Sequence, residues 1–201
     1  MVSSDEKILN TVSEYDGKTI RTYKKHFNGT SRCSEEVKII KSDFFLILQG
    51  GEIFALPRRI DQLINEALKN LHVRNINSIL KFNNLSDLKD KNLVKNLLRK
   101  ERKVIALFRK LPSTAKPKIQ LTLIFKVLRM FIFGVNTLRN LSKSKTLPLE
   151  KSELIEKLRI REIGITLNTL RVDRSSESVN TAKDLFKIKK DLRTNREQNS
   201  Y

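Results

Sequence analysis

Cys33 is the only thiol in the chain, and His26 and His72 are its only imidazoles, the groups that cysteine-histidine nucleophilic catalysis and zinc binding draw on. A single cysteine excludes an intramolecular disulfide and any zinc cluster built on several thiolates. Cys33 and His26 could pair as nucleophile and base, but no third group stands at a telling position, so Cys33 reads as a buried or surface thiol. A metal site would have to be assembled from scattered carboxylates. Gly50-Gly51 lacks both the spacing and the lysine of a phosphate-binding loop, and no Gly-x-Ser-x-Gly elbow occurs. The carboxylates are interleaved with lysine and arginine, which suits solvated helix faces better than a shared acid and base. These absences predict a protein that is not an enzyme, with no catalytic residue, cofactor or metal.

Charge is the strongest compositional fact. Forty-one lysines and arginines against 22 acids give a formal net charge of +19, which attracts polyanions over a screening length. The densest basic stretch runs from Lys89 to Lys110, offset only by Asp90 and Glu101, and reads as the outer face of a helix. Lys95, Arg99, Arg102 and Lys103 are its candidate nucleic-acid contacts, because such side chains neutralise phosphates and release counterions. Aromatic residues are sparse along it, which disfavours stacking on unpaired bases. The N-terminus, MVSSDEKILN, has no apolar run and predicts neither a secretory signal nor a transit peptide. Ile119 to Val135 is strongly apolar, but Lys126 and Arg129 interrupt it and it is shorter than a bilayer span of about 20 residues. No membrane partner is expected.

The elements that would carry these residues read as mostly helical. Residues 1–35 show no sustained period and predict a flexible arm, with Asn28-Gly29 as a turn. Val37 to Leu56 carries the best strand signal: VKII, FFLIL, Gln49-Gly50-Gly51, then EIFAL, the pattern of a small hairpin. A helix from Asp43 to Leu48 is the alternative. Ile60, Leu63, Ile64, Leu68 and Leu71 recur at helical spacing, Ile76 to Phe82 suggests a short second helix, and Ser86-Asp87 caps a third that continues to Phe108. Pro112 to Pro117 marks a boundary. Beyond it, Lys118 to Ser142, Leu149 to Leu158, Ile163 to Leu170 and Val179 to Leu192 predict a bundle of four or five helices, with Leu185 and Phe186 on its inward face.

Within Glu162 to Leu192, Ile163, Gly164, Leu167, Asn168, Leu170 and Arg171, followed by Ala182, Lys183, Leu185, Phe186, Lys189 and Lys190, resemble the N-terminal domain of transcription elongation factor TFIIS, found also in elongin A. The Trp usual in the last helix of that family is absent. The resemblance implies a nuclear docking module for short, partly acidic disordered segments of transcription or chromatin proteins. Ile163, Leu167, Asn168, Arg171, Lys183 and Lys187 would be its contact residues, apolar anchors beside attracting charges.

The fold class expected from the sequence is therefore mainly α. A flexible arm (1–35), a basic helical region with a small hairpin (36–111), a TFIIS-like bundle (117–195) and a polar tail (196–201) are its parts. The expected function is that of a non-enzymatic nuclear transcription or chromatin factor. The rivals are a basic RNA- or DNA-binding protein of ribosomal or organellar type, and a basic helical enzyme or accessory with no readable site.

Overall fold

The computed structural model describes residues 1–190 except 27, 38–39, 54, 70–74, 101, 112–115, 173–178, 180, 183 and 187. It is a mixed α/β fold, and the mainly α expectation is overturned. A six-stranded sheet replaces most of the predicted helices. The chain forms two compact units, Met1–Ile47 with Phe133–Ile165, and Leu48–Ile132 with Thr166–Tyr201.

The first unit opens with β1 (Val2–Ser3), α1 (Glu6–Glu14), β2 (Ile20–Arg21) and α2 (Gly29–Glu36). These short elements are specified by caps, which periodicity does not register. The Asp5 carboxylate accepts the amides of Lys7 and Ile8 at 2.9 and 3.3 Å to start α1. At its end the chain reverses through Asp16, at φ 57°, and the Gly17 amide donates to the Val12 carbonyl at 2.9 Å. A Cβ on Gly17 would stand 2.5 Å from Val12 Cγ1, so the reversal requires glycine. β2 then pairs parallel to β1, with Val2 opposite Ile20. Asn28, predicted to make a turn, is the N-cap of α2, its Oδ1 accepting from the Ser31 amide at 2.8 Å. α2 packs on α6 (Val135–Lys143), which is succeeded by α7 (Pro148–Glu153) and α8 (Lys157–Glu162).

The end of α8 explains the Ile-Gly pair on which the TFIIS resemblance leans. Ile163 is the C-cap, Gly164 takes the left-handed conformation at φ 79°, and the amides of Gly164 and Ile165 bond the carbonyls of Arg161 and Ile160, each at 3.0 Å. This is a Schellman stop, a generic way to end a helix. The next element is a strand.

The second unit holds α3 (Pro57–Lys69), β4 (Asn75–Lys81), α4 (Leu85–Lys89), β5 (Lys95–Leu98), β6 (Val104–Phe108), α5 (Pro117–Leu123) and β8 (Asn168–Arg171). The division between the units runs through β3 (Phe44–Leu48) and β7 (Ile124–Gly134). Strand order is β6-β5-β7-β4-β8, with β3 also pairing β7. β4 and β8 are parallel, from Ile76 opposite Asn168 to Ile79 opposite Arg171, and β5 is antiparallel to both its neighbours. The start of β6 reaches back to β8: Lys103 bridges Asn168, and the Val104 amide donates to the Leu167 carbonyl at 2.9 Å.

Each misread element has a physical cause. β4 reads as a helix in the sequence because Asn75, Ile76, Asn77, Ser78 and Ile79 are all buried, and burial on both faces erases the alternation that marks a strand. The same holds for β7, where Met130, Phe131, Ile132 and Phe133 are buried in succession. The long basic helix predicted from Ser86 to Phe108 is helical only at its start, in α4, and from Lys95 it is a hairpin. Its register shifts between Leu97 and Leu98, and its loop is turned by Arg102 at φ 57°, so neither strict alternation nor a glycine announces it. Of the predicted Val37–Leu56 hairpin only FFLIL is a strand. After it the Glu52 amide closes a turn on the Gln49 carbonyl at 2.9 Å, and the chain enters α3 at Pro57. In α3 the buried row is Arg59, Leu63 and Ala67, while Ile64 and Leu68 are exposed.

Leu71, Pro112 to Ala115, Asp173 to Glu177, Leu192 and the polar tail lie outside the described residues. Ala182, Asp184 to Phe186 and Ile188 to Lys190 are helical, but Phe186 is 73% exposed and Ile188 is the buried residue of that stretch. No helix among the described residues is long and apolar enough to cross a membrane.

Candidate active site

In an open α/β sheet, ligands gather beyond strand ends where a strand turns into a helix. The Gln49–Glu52 turn occupies such a place, between β3 and α3. β7 fixes it: the Gln49 amide donates to the Arg129 carbonyl at 3.1 Å, and the Arg129 amide donates to Glu52 Oε1 at 3.4 Å. The Val179 amide donates to the Gly51 carbonyl at 2.8 Å. A Cβ on Gly51 would stand 2.7 Å from the Val179 carbonyl oxygen and 3.0 Å from Arg129 Nη1. Glycine here therefore lets a second backbone segment and a guanidinium close on the turn.

The electrostatics are unequal. Glu52 is 7% exposed, and burial pushes its carboxyl up against the opposing pull of Lys126, Arg129 and Arg59. Arg59, buried in the first turn of α3, is itself pushed down by desolvation and by Arg58. Three cations that act on one carboxylate, with the Arg129 guanidinium against Gly51, could attract a substrate with several negative oxygens, which guanidinium groups bind in forked pairs.

Because the folded pKa of Glu52 lies above its ordinary 4.5, the folded state binds the proton more tightly than the unfolded chain, and stability falls as pH rises through that window. Glu52→Gln keeps the acceptor for Arg129 and removes the titration. It is expected to raise stability at neutral pH and flatten the slope above pH 4.5 in urea titrations. An unchanged slope would show that Glu52 is solvated.

The first unit has a cavity of about 180 Å³ lined by Lys24, His26, Ser31, Ser34, Glu35, Ser142, Ser144 and Arg159 among others. Its ionic groups are committed to one another. Glu35 receives Lys24 at 2.7 Å and His26 at 2.9 Å, and Arg159 is paired with Glu150.

The residues singled out from sequence do not meet at one place. Ile163 caps α8 in the first unit, whereas Leu167, Asn168 and Arg171 belong to the second. Leu167 is fully buried, Asn168 opens β8, and Arg171 lies over the Phe125 ring at 5.8 Å. Lys183 and Lys187 lie outside the described residues. Of the proposed nucleic-acid contacts, Lys95 is fully buried and donates to the carbonyls of Asp90, Leu93 and Arg109. Burial holds its pKa below the ordinary lysine value. Arg99 and Arg102 are exposed on the β5–β6 loop, and Lys103 sits against β8. The Gln49–Glu52 turn escapes a sequence reading because EIFAL has the pattern of a returning strand. A strand, two glycines and then a proline-started helix is the signal available.

A family model for cytidylyltransferases matches residues 1–186. The chain belongs to the cytidylyltransferase family. It is 28% identical over 189 residues to the 3-deoxy-manno-octulosonate cytidylyltransferase of Fusobacterium nucleatum, covering 94% of this chain and 77% of that one. It is also 28% identical over 208 residues to the enzyme of that name from Thermodesulfovibrio yellowstonii, covering 96% and 81%. Among solved structures, CMP:2-keto-3-deoxy-manno-octonic acid synthetase complexed with CTP superposes with a TM-score of 0.86 at 20% identity, covering 96% of this chain and 80% of that one. UDP-glucose pyrophosphorylase does so at 0.63 and 12%, covering 95% and 70%.

Membership overturns the expectation of a non-enzymatic protein, and with it the TFIIS-like recognition and the transcription and chromatin roles and partners. The nucleic-acid-binding alternative is not supported either. The expected nuclear location falls as well, since these relatives are proteins of bacteria, which have no nucleus. Two amphipathic basic stretches imitate a bundle because lysine-rich, leucine-rich segments of either secondary structure share that pattern.

Proposed function

We propose that this cytidylyltransferase transfers the cytidylyl group of CTP to a sugar acid of the 3-deoxy-manno-octulosonate type. The observation that carries the reading is the turn after β3, where the Arg129 guanidinium lies against Gly51 and Glu52 is in the field of Arg59, Lys126 and Arg129. Both substrates are anionic, a triphosphate and a carboxylate, and a cationic seat at a strand end suits both. The names of the relatives supply the substrate class. In the reaction a hydroxyl oxygen of the sugar acid attacks the α-phosphorus of CTP. The bond from that phosphorus to the β-phosphate oxygen breaks, pyrophosphate leaves, and the hydroxyl proton passes to solvent or a base. The cations would neutralise charge that builds on the phosphate oxygens, while Glu52 holds them in place.

Incubating the chain with CTP and 3-deoxy-manno-octulosonate should release pyrophosphate and form a CMP-sugar, followed by phosphorus NMR. Arg129→Gln should weaken CTP binding at least tenfold. Absence of CTP binding by the parent chain would sink the proposal.

A further inference from the structure

Enzymes that act on nucleoside triphosphates ordinarily bring a divalent cation, bound by one or two carboxylates together with the phosphates. The described residues at the turn after β3 do not fit such an ion. Among the described residues no three of His, Cys, Asp and Glu form a group that could hold a metal, so the arrangement to be tested is one or two carboxylates beside the phosphates. At the turn after β3 the two tip positions are Gly50 and Gly51, which carry no donor side chain, and the Gly51 carbonyl already accepts from Val179. Among the described residues the carboxylate of the turn is Glu52, which is buried, receives the Arg129 amide and lies in the field of Arg59, Lys126 and Arg129. A small dication would meet three like charges and one shielded oxygen. The same arrangement attracts a triphosphate that arrives without its metal, since protein cations can neutralise phosphate oxygens directly.

We infer that this chain takes CTP as the free tetra-anionic nucleotide, with Arg59, Lys126 and Arg129 standing where a divalent ion would otherwise neutralise the phosphates. The inference rests on the proposed use of this turn for CTP, and the test separates the two. Calorimetric titration of the full chain with CTP is run once in EDTA and once in excess Mg²⁺, and Mn²⁺ binding without nucleotide is followed by electron paramagnetic resonance. Affinity in EDTA should equal or exceed that in Mg²⁺, no Mn²⁺ should bind stoichiometrically, and Lys126→Gln should weaken binding in EDTA about tenfold with an unchanged thermal melt. CTP affinity ten times higher in Mg²⁺, or stoichiometric Mn²⁺, would overturn the inference and leave the cytidylyltransferase reading standing. No CTP binding under either condition would overturn both.

Discussion

Replacing Arg159 by methionine is expected to destabilise the first unit by about 3 to 5 kcal/mol, the usual consequence of stripping one partner from a buried ion pair. Arg159 is 3% exposed and Glu150 4% exposed, and their Nε and Oε2 atoms are 3.0 Å apart. The guanidinium also donates from Nη1 to the carbonyls of Ser144 at 3.1 Å and Leu141 at 3.4 Å, which joins the end of α6 to α8. On the other side, Asn28 donates from Nδ2 to Glu150 Oε1 at 2.9 Å while capping α2. Four helices, α2, α6, α7 and α8, thus meet on one pair. Glu150 is already pushed up by burial, with Arg159 the largest opposing influence, so loss of the guanidinium leaves a carboxyl that must take a proton or draw in water. The double variant Arg159→Met, Glu150→Gln should recover part of the loss, because it removes the stranded charge along with its partner. Urea unfolding of the three proteins measures this. A loss below about 1 kcal/mol in the single variant would show that the pair behaves as a surface one.

Lys95→Met should unfold the second unit nearly as readily. The Lys95 ammonium is fully buried and spends its protons on the carbonyls of Asp90, Leu93 and Arg109. Those oxygens belong to the loop before β5 and to the end of β6, so one side chain ties the hairpin to its own approach. Methionine keeps most of the stem's packing and removes the ammonium from three carbonyls, of which that of Asp90 still accepts the Leu93 amide at 3.3 Å. At about 1 to 3 kcal/mol for each of the two carbonyls that lose this donor with no such replacement, the loss is about 2 to 6 kcal/mol, with water entry favouring the lower end. Total stabilities of about 5 to 15 kcal/mol make that a large share. Thermal melts by circular dichroism, with Lys100→Met on the exposed loop as the matched control, give the comparison. Equal behaviour of the two variants would mean that Lys95 reaches solvent.

The sequence by itself determined what is local. It placed FFLIL as a strand, a helix after Pro57, a chain with no disulfide, and a charge suited to anionic partners. It read residues 1–35 as a flexible arm because the elements there are specified by Asp5 and Asn28 caps and by the glycine reversal at Gly17, which leave no hydrophobic period. The tertiary structure decided the rest. β4 and β7 are strands because neighbours cover both faces, and that covering removes from the sequence the alternation by which a strand is known. Lys95 reads as one more exposed charge in a basic stripe until the loop carbonyls that surround it are in place. Gly51 reads as a hairpin turn until Val179, more than a hundred residues later, lies against it and Arg129 comes over it. The candidate site is made by such long-range approaches, whose partners are unspecified by the spacing of any one segment. That is why the chemistry could not be read before the fold.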